Sequence, residues 1–176
     1  CIRDSYSCVE KIQTLMSNLD ISPEDRKVAL AAREKEEITG KESFAIELAD
    51  GRIMRGKKSK LFTAPAACIL NALKKLGNLD DEILLLSPHI IEPVSNLKTK
   101  SLGETEPSLS INEMLIALAI SATTNPLTHM AMEEIKNLKT LDAHSTVILN
   151  DSEKRMLRKL GINFTQDPVF GEDSGY

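Results

Sequence analysis

A chain of 176 residues, 41% hydrophobic and 27% charged, is long enough for one domain with a sizeable core and a solvated surface. Aromatics make up only 3%, with no tryptophan, and the net charge is -4; nucleic-acid binding, which draws on stacking rings and a basic surface, is not expected. The longest apolar run, Met114–Ile120, is about two helical turns, too short for a membrane span, and no basic-then-apolar leader opens the chain, so no membrane partner is expected.

Cys1, Cys8 and Cys68 form no framework spacing, which favours a reducing compartment and a cytoplasmic location. Residues Cys1–Tyr6 carry no regular pattern and are set aside from the fold. A start of this kind, without an initiator Met, reads as part of a longer chain.

Val9, Ile12, Leu15, Met16 and Leu19 recur at helical spacing and predict a short amphipathic first helix. Ser22-Pro23-Glu24-Asp25 is a helix-start signal, with Ser22 as cap, Pro23 in the first turn and the acids at the positive end of the dipole. That second helix should end at Gly40. The period then changes to two: Phe44, Ile46 and Leu48 alternate, Asp50-Gly51 makes a hairpin turn, and Ile53–Gly56 returns.

Thr63 should cap a third helix whose small opening, Ala64-Pro65-Ala66-Ala67, packs closely on a sheet, and which carries Ile69, Leu70, Leu73 and Leu76 to Gly77. The aliphatic run Ile83–Leu86 predicts a buried strand. A helix from His89 to Lys98 is interrupted near Pro93. Ser110 and Glu113 form a capping box for the most apolar helix, expected to be buried on most sides, and Asn125-Pro126 ends it and begins the next. Thr146–Leu149 predicts a buried strand, Asp151 or Ser152 starts a charged helix ending at Gly161, and Ile162–Phe164 is a last strand. The sum is an α/β domain over residues 41–168, a mixed β-sheet covered by helices, preceded by a helical segment, 1–40, and followed by a tail, 169–176.

Several phrases carry a family resemblance: Leu115-Ile116-Ala117-Leu118-Ala119-Ile120-Ser121-Ala122, Asn125-Pro126, Ala143-His144-Ser145-Thr146 and Arg158-Lys159-Leu160-Gly161-Ile162-Asn163. With Ala49-Asp50-Gly51-Arg52-Ile53, Gly56-Lys57 and Asn71-Ala72-Leu73-Lys74, they resemble the C-terminal portion of the bacterial family called domain of unknown function 1846. The resemblance implies a much longer parent whose N-terminal portion carries a glycine-rich, phosphate-loop-like segment that this chain lacks. It departs at Ser101, where the family has a His before Leu102-Gly103, and at Glu106-Pro107-Ser108-Leu109-Ser110, where relatives carry basic and imidazole groups. The resemblance also implies a cytidine-deaminase-like topology. The zinc chemistry of that fold needs a His or Cys with Glu two residues on, and a Cys-x-x-Cys pair. The corresponding helix start here reads Thr63-Ala64-Pro65-Ala66, no Cys-x-x-Cys occurs, and neither a metal nor a cofactor is expected.

Arg52, Arg55, Lys57, Lys58 and Lys60 form a basic stretch leading into the third helix, whose free N–H groups favour anions. Lys57, Lys58, Ser59, Thr63 and His144 are the candidate ligand residues, set against a plainer reading in which the lysines solvate a hairpin end. His144 and Ser145 lead into the strand predicted at Thr146–Leu149, and adjacent residues on a strand face opposite ways, which makes a hydrogen-bonded structural histidine the plainer reading there. No catalytic residue is identified. Two functions stay open: a non-catalytic domain that assembles with, or completes a site with, the N-terminal part of its own parent chain or a second copy; and a domain that binds or transforms a small anionic ligand or nucleotide.

Overall fold

The computed structural model describes residues 2–22 and 25–169, with side chains from Glu10 onward. Helix α1 spans Ile2–Asn18 and takes in residues 2–6, which lack a sequence pattern. Pro23 and Glu24, half of the predicted start signal, lie outside the described residues; Ser22 donates its amide to Asp25 at 2.6 Å, and α2 begins at Lys27. Helix α2, Lys27–Thr39, ends where expected, with Gly40 in the left-handed conformation at φ 62° and its N–H returning to the Glu36 carbonyl.

Strands β1 (Ser43–Glu47) and β2 (Ile53–Lys57) form the predicted hairpin. Strands β3 (Asp142–Ser145) and β4 (Asn163–Gln166) complete one sheet in the order β2-β1-β3-β4. Strand β1 runs antiparallel to both neighbours, and β3 and β4 are parallel, so the sheet is mixed. The pleat divides its residues. Phe44, Ile46, Ala143 and Phe164 face the main core, while Ala45 and Ile53 meet Val28, Ala31 and Ala32 of α2 on the other side.

Helix α3, Ala64–Leu76, lies on the main-core face and approaches β2 very closely. A Cβ on Gly56 would stand 2.3 Å from the Cys68 amide nitrogen and 2.5 Å from the Ala64 carbonyl oxygen. Only glycine leaves room for that contact, which fixes the start of α3 beside the end of the hairpin. Helix α4, Pro88–Asn96, contains Pro93 and passes into a π-helical turn, Leu97–Ser101. Helices α5 (Ile111–Ala122) and α6 (Pro126–Glu133), a 3₁₀ turn (Glu134–Leu138) and α7 (Asp151–Lys159) are the remaining helical elements among the described residues.

Two predicted strands are corrected. Ile83–Leu86 is not a strand: Leu85 and Leu86 are buried but Leu84 is 71% exposed. The Leu85 carbonyl accepts hydrogen bonds from the Ser121 and Thr128 hydroxyls at 3.0 and 2.9 Å, so side chains satisfy a polar group that a sheet ladder was expected to satisfy. The strand expected at Thr146–Leu149 lies earlier, at Asp142–Ser145; Thr146 follows it and binds the Ser43 backbone through its hydroxyl. Helix α5 is less enclosed than its composition suggests, with Ile116 and Ile120 exposed.

Candidate functional site

Three helices begin at the same place. The end of β3, the segments flanking the hairpin, and the starts of α3, α5 and α7 line a cavity of about 530 Å³. Each helix start brings the positive end of its dipole toward that space, with backbone N–H groups that the helix itself cannot satisfy.

The three starts are finished differently. Helix α5 has the predicted capping box: the Ser110 amide and hydroxyl donate to Glu113 at 2.8 and 3.0 Å. Helix α7 is capped by Asn150, whose Oδ1 accepts the Glu153 N–H at 2.9 Å. Helix α3 has no side-chain cap, contrary to expectation; the Thr63 hydroxyl is oriented instead toward Glu153 and donates to its Oε1 at 2.5 Å. Asn150 and Glu153 have the same spacing as Ser110 and Glu113, yet Glu153 reaches to α3 instead of turning back on its own helix.

Glu153 is 4% exposed. Burial pushes its carboxyl above the usual range, against the Thr63 hydrogen bond; nearby Glu42 and Glu113 push the same way and Lys98 opposes them. Oε2 of Glu153 has no hydrogen-bond partner among the described residues.

Lys98, on the π-helical turn, is also buried. Its ammonium donates to the Ser108 carbonyl at 2.7 Å and to Glu113 at 2.9 Å, with Glu104 3.5 Å away. Burial works against ionisation of Glu113, but the Ser110 donors and Lys98 outweigh it and hold the carboxyl below its ordinary range. Lys58 stands 3.6 Å from Glu42 and 3.8 Å from Glu106. The site thus sets two lysines, Lys58 and Lys98, among five glutamates and is not a basic pocket.

Of the five residues proposed from sequence, the structure brings Lys58 and Thr63 together in the cavity wall. Lys57 does not join them: Gly56 faces α3, so the pleat turns Lys57 to the opposite side, where it is exposed. Ser59 is used locally, accepting the Leu61 and Phe62 amides at 3.2 and 3.1 Å. The rest of the basic stretch is largely tied down, with Arg52 paired to Asp50, and Arg55 to Glu34 and the Ala31 carbonyl.

His144 lies on the α2 side of the sheet, away from Ser145, which lines the cavity. Its Nδ1 is 2.8 Å from the Thr165 hydroxyl. Its Nε2 is buried without a hydrogen bond, 3.4 Å from Oδ1 of Asp167. Burial lowers its proton affinity; Asp167 opposes this, and Arg33 and Arg26 reinforce it.

Sequence reasoning did not single out Lys98, Glu153 or Ser145 for the site. Glu153 had a usable signal in the cap spacing from Asn150, whereas Lys98 and Ser145 are brought to the cavity by packing alone.

The family model described as "Domain of unknown function DUF1846, C-terminal" matches residues 24–176. Two UPF0371 proteins of Streptococcus pneumoniae, from strains CGSP14 and JJA, are each 49% identical to the chain over 172 residues. Each match takes in 98% of this chain and 35% of the relative, so the chain spans about a third of the length of the curated relatives it matches. The phrases that carried the resemblance and the family match agree, and the chain belongs to the C-terminal family of domain of unknown function DUF1846.

Proposed function

We propose that this domain supplies one wall of a ligand site and is not catalytic by itself, the site being completed by the N-terminal part of a longer parent chain. The cavity at the three helix starts carries this reading: it gathers buried polar groups from distant parts of the chain around an opening. The much greater length of the relatives supports a larger parent. So do Ile12 and Leu15 on α1, 55% and 60% exposed, which offer an apolar surface for further polypeptide.

Hydrogen exchange tests the reading. The amides of Thr63, Ala64, Ala66 and Ala67 and of residues 150–154 should exchange about tenfold more slowly in a longer protein carrying this sequence than in this chain alone. Equal rates in both would leave the cavity uncompleted and sink the proposal.

A second reading, a small anion bound at Lys58 and Thr63, is favoured by the absence of a side-chain cap on α3. A deaminase-like topology also remains our proposal; the succession of strand, Asp50-Gly51 turn, strand, loop and α3 supports it. A cytoplasmic location is likewise proposed from cysteine usage, with Cys68 buried as a free thiol.

A further inference from the structure

We propose that the cavity takes an anionic oxygen group, a carboxylate or a tetrahedral oxyanion, with Glu153 as a hydrogen-bond donor to it from Oε2. The inference rests on reading the cavity as a ligand site, and it deepens that reading by naming the ligand chemistry and the residue that selects it. Glu153 is 4% exposed, lines a cavity of about 530 Å³, and has one carboxyl oxygen occupied by Thr63 while the other has no partner among the described residues.

Thr63 decides which oxygen carries a proton. Its hydroxyl donates to Oε1, so Oε1 acts as acceptor and a proton taken up by the carboxyl resides on Oε2. A neutral carboxylic acid in a partly apolar wall is then a donor, the arrangement by which enzymes stabilise oxyanions with a protonated acid. Val147, Ile148 and Leu149 supply the apolar part of this wall. The same carboxyl lies where α3 and α7 begin, so backbone N–H groups and two helix dipoles favour the same negative charge.

The charged groups around it set the terms. Glu42 and Lys58 face Glu153 from the hairpin side, and Lys98, Glu104, Glu106 and Glu113 from the π-helical turn, the following loop and α5. The carboxylates among them oppose an anion and also oppose ionisation of Glu153. An arriving oxyanion therefore adds to the charges that keep Glu153 protonated, and binding takes up a proton.

Sulfate, whose charge does not change over the working range, is the probe; acetate is the planar comparison. Calorimetric titration of this chain with sulfate should give an affinity that rises as pH falls between about pH 8 and pH 5, approaching tenfold per unit where the empty Glu153 is ionised. Glu153→Gln, which keeps a donor and cannot titrate, should bind sulfate within a few-fold of the best wild-type value and lose the pH slope. Glu153→Ala should weaken binding about tenfold. A preference for sulfate over acetate at one pH assigns a tetrahedral group, and the reverse a carboxylate. The inference is overturned if neither anion binds, if affinity rises with pH, or if the slope survives in Glu153→Gln. Failure here with the amides of Thr63, Ala64, Ala66, Ala67 and residues 150–154 still protected in the longer protein would leave the shared site intact and remove only the oxyanion.

Discussion

Arg33 holds Asp167 through two hydrogen bonds, Nε to Oδ2 at 3.0 Å and Nη2 to Oδ1 at 2.7 Å, which ties the middle of α2 to the segment just past β4. The pair closes the face of the sheet opposite the cavity and places a carboxylate beside His144. Arg33→Ala should cost roughly 1–2 kcal/mol at neutral pH, the lower part of the range for charged hydrogen bonds because the arginine is 37% exposed. Burial works against ionisation of Asp167, but Arg33 and His144 outweigh it, and its folded value lies below the ordinary 3.8. The stabilisation is therefore complete above that ordinary value and is lost as pH falls through the lower folded one. Urea midpoints of wild type and variant should differ at neutral pH and converge in acid; a constant gap down to about pH 2 would refute the linkage.

His144 should titrate below its ordinary 6.5, because burial outweighs Asp167. Its folded affinity for protons is depressed, so the unfolded chain binds more protons as pH drops through 6.5. Stability then falls from neutral pH toward about pH 5, and His144→Gln should flatten that fall. An imidazole shift followed by NMR gives the direct measurement. A midpoint above 6.5 would mean that the Asp167 interaction dominates instead.

Gly56→Ala should be among the most damaging single-methyl changes in the chain, about 3 kcal/mol or more. The added carbon meets backbone atoms of Ala64 and Cys68, which cannot swing aside as a side chain can. The same change would push the α3 start away from Lys58 and open the cavity. Calorimetric melting decides the matter; a variant that melts with wild type would show that α3 is free to slide on β2.

Leu85→Ala should cost about 2–5 kcal/mol and Leu84→Ala within about 0.5 kcal/mol. Leu85 is 1% exposed and Leu84 71% exposed, although they sit side by side in the same aliphatic run. Equal costs for the two, measured by denaturant unfolding, would contradict the turn-like course of Ile83–Leu86 and restore a segment buried on both faces.

Local chemistry in the sequence was enough for the hairpin, for α3 from its small first turn to Gly77, for the Ser110–Glu113 box and for the break at Asn125-Pro126. In each case a short-range signal and the final hydrogen bonds involve the same few residues. The apolar run at Ile83–Leu86 misled because composition reports burial and not the partner of the backbone; here hydroxyls of Ser121 and Thr128, 36 and 43 residues away, accepted that role.

The site follows the same division. Sequence alone determined that a basic stretch leads into a helix start, and that the adjacent His144 and Ser145 would face opposite ways if extended, while the structure put them on β3 itself. Only the tertiary structure decided which of those groups share a cavity. Alternation at the end of β2 sends Lys57 out and leaves Lys58 in, while packing brings Glu153 to Thr63 across 90 residues of sequence and Lys98 to Glu113 across 15. Charge pairing, too, was invisible in the linear chain: Lys58 has no acid beside it in sequence, but folding places Glu42 and Glu106 near its ammonium. Ligand chemistry depends on such distances, because a charge already neutralised by a neighbour attracts little, and a carboxyl removed from water can keep the proton that an exposed one gives up.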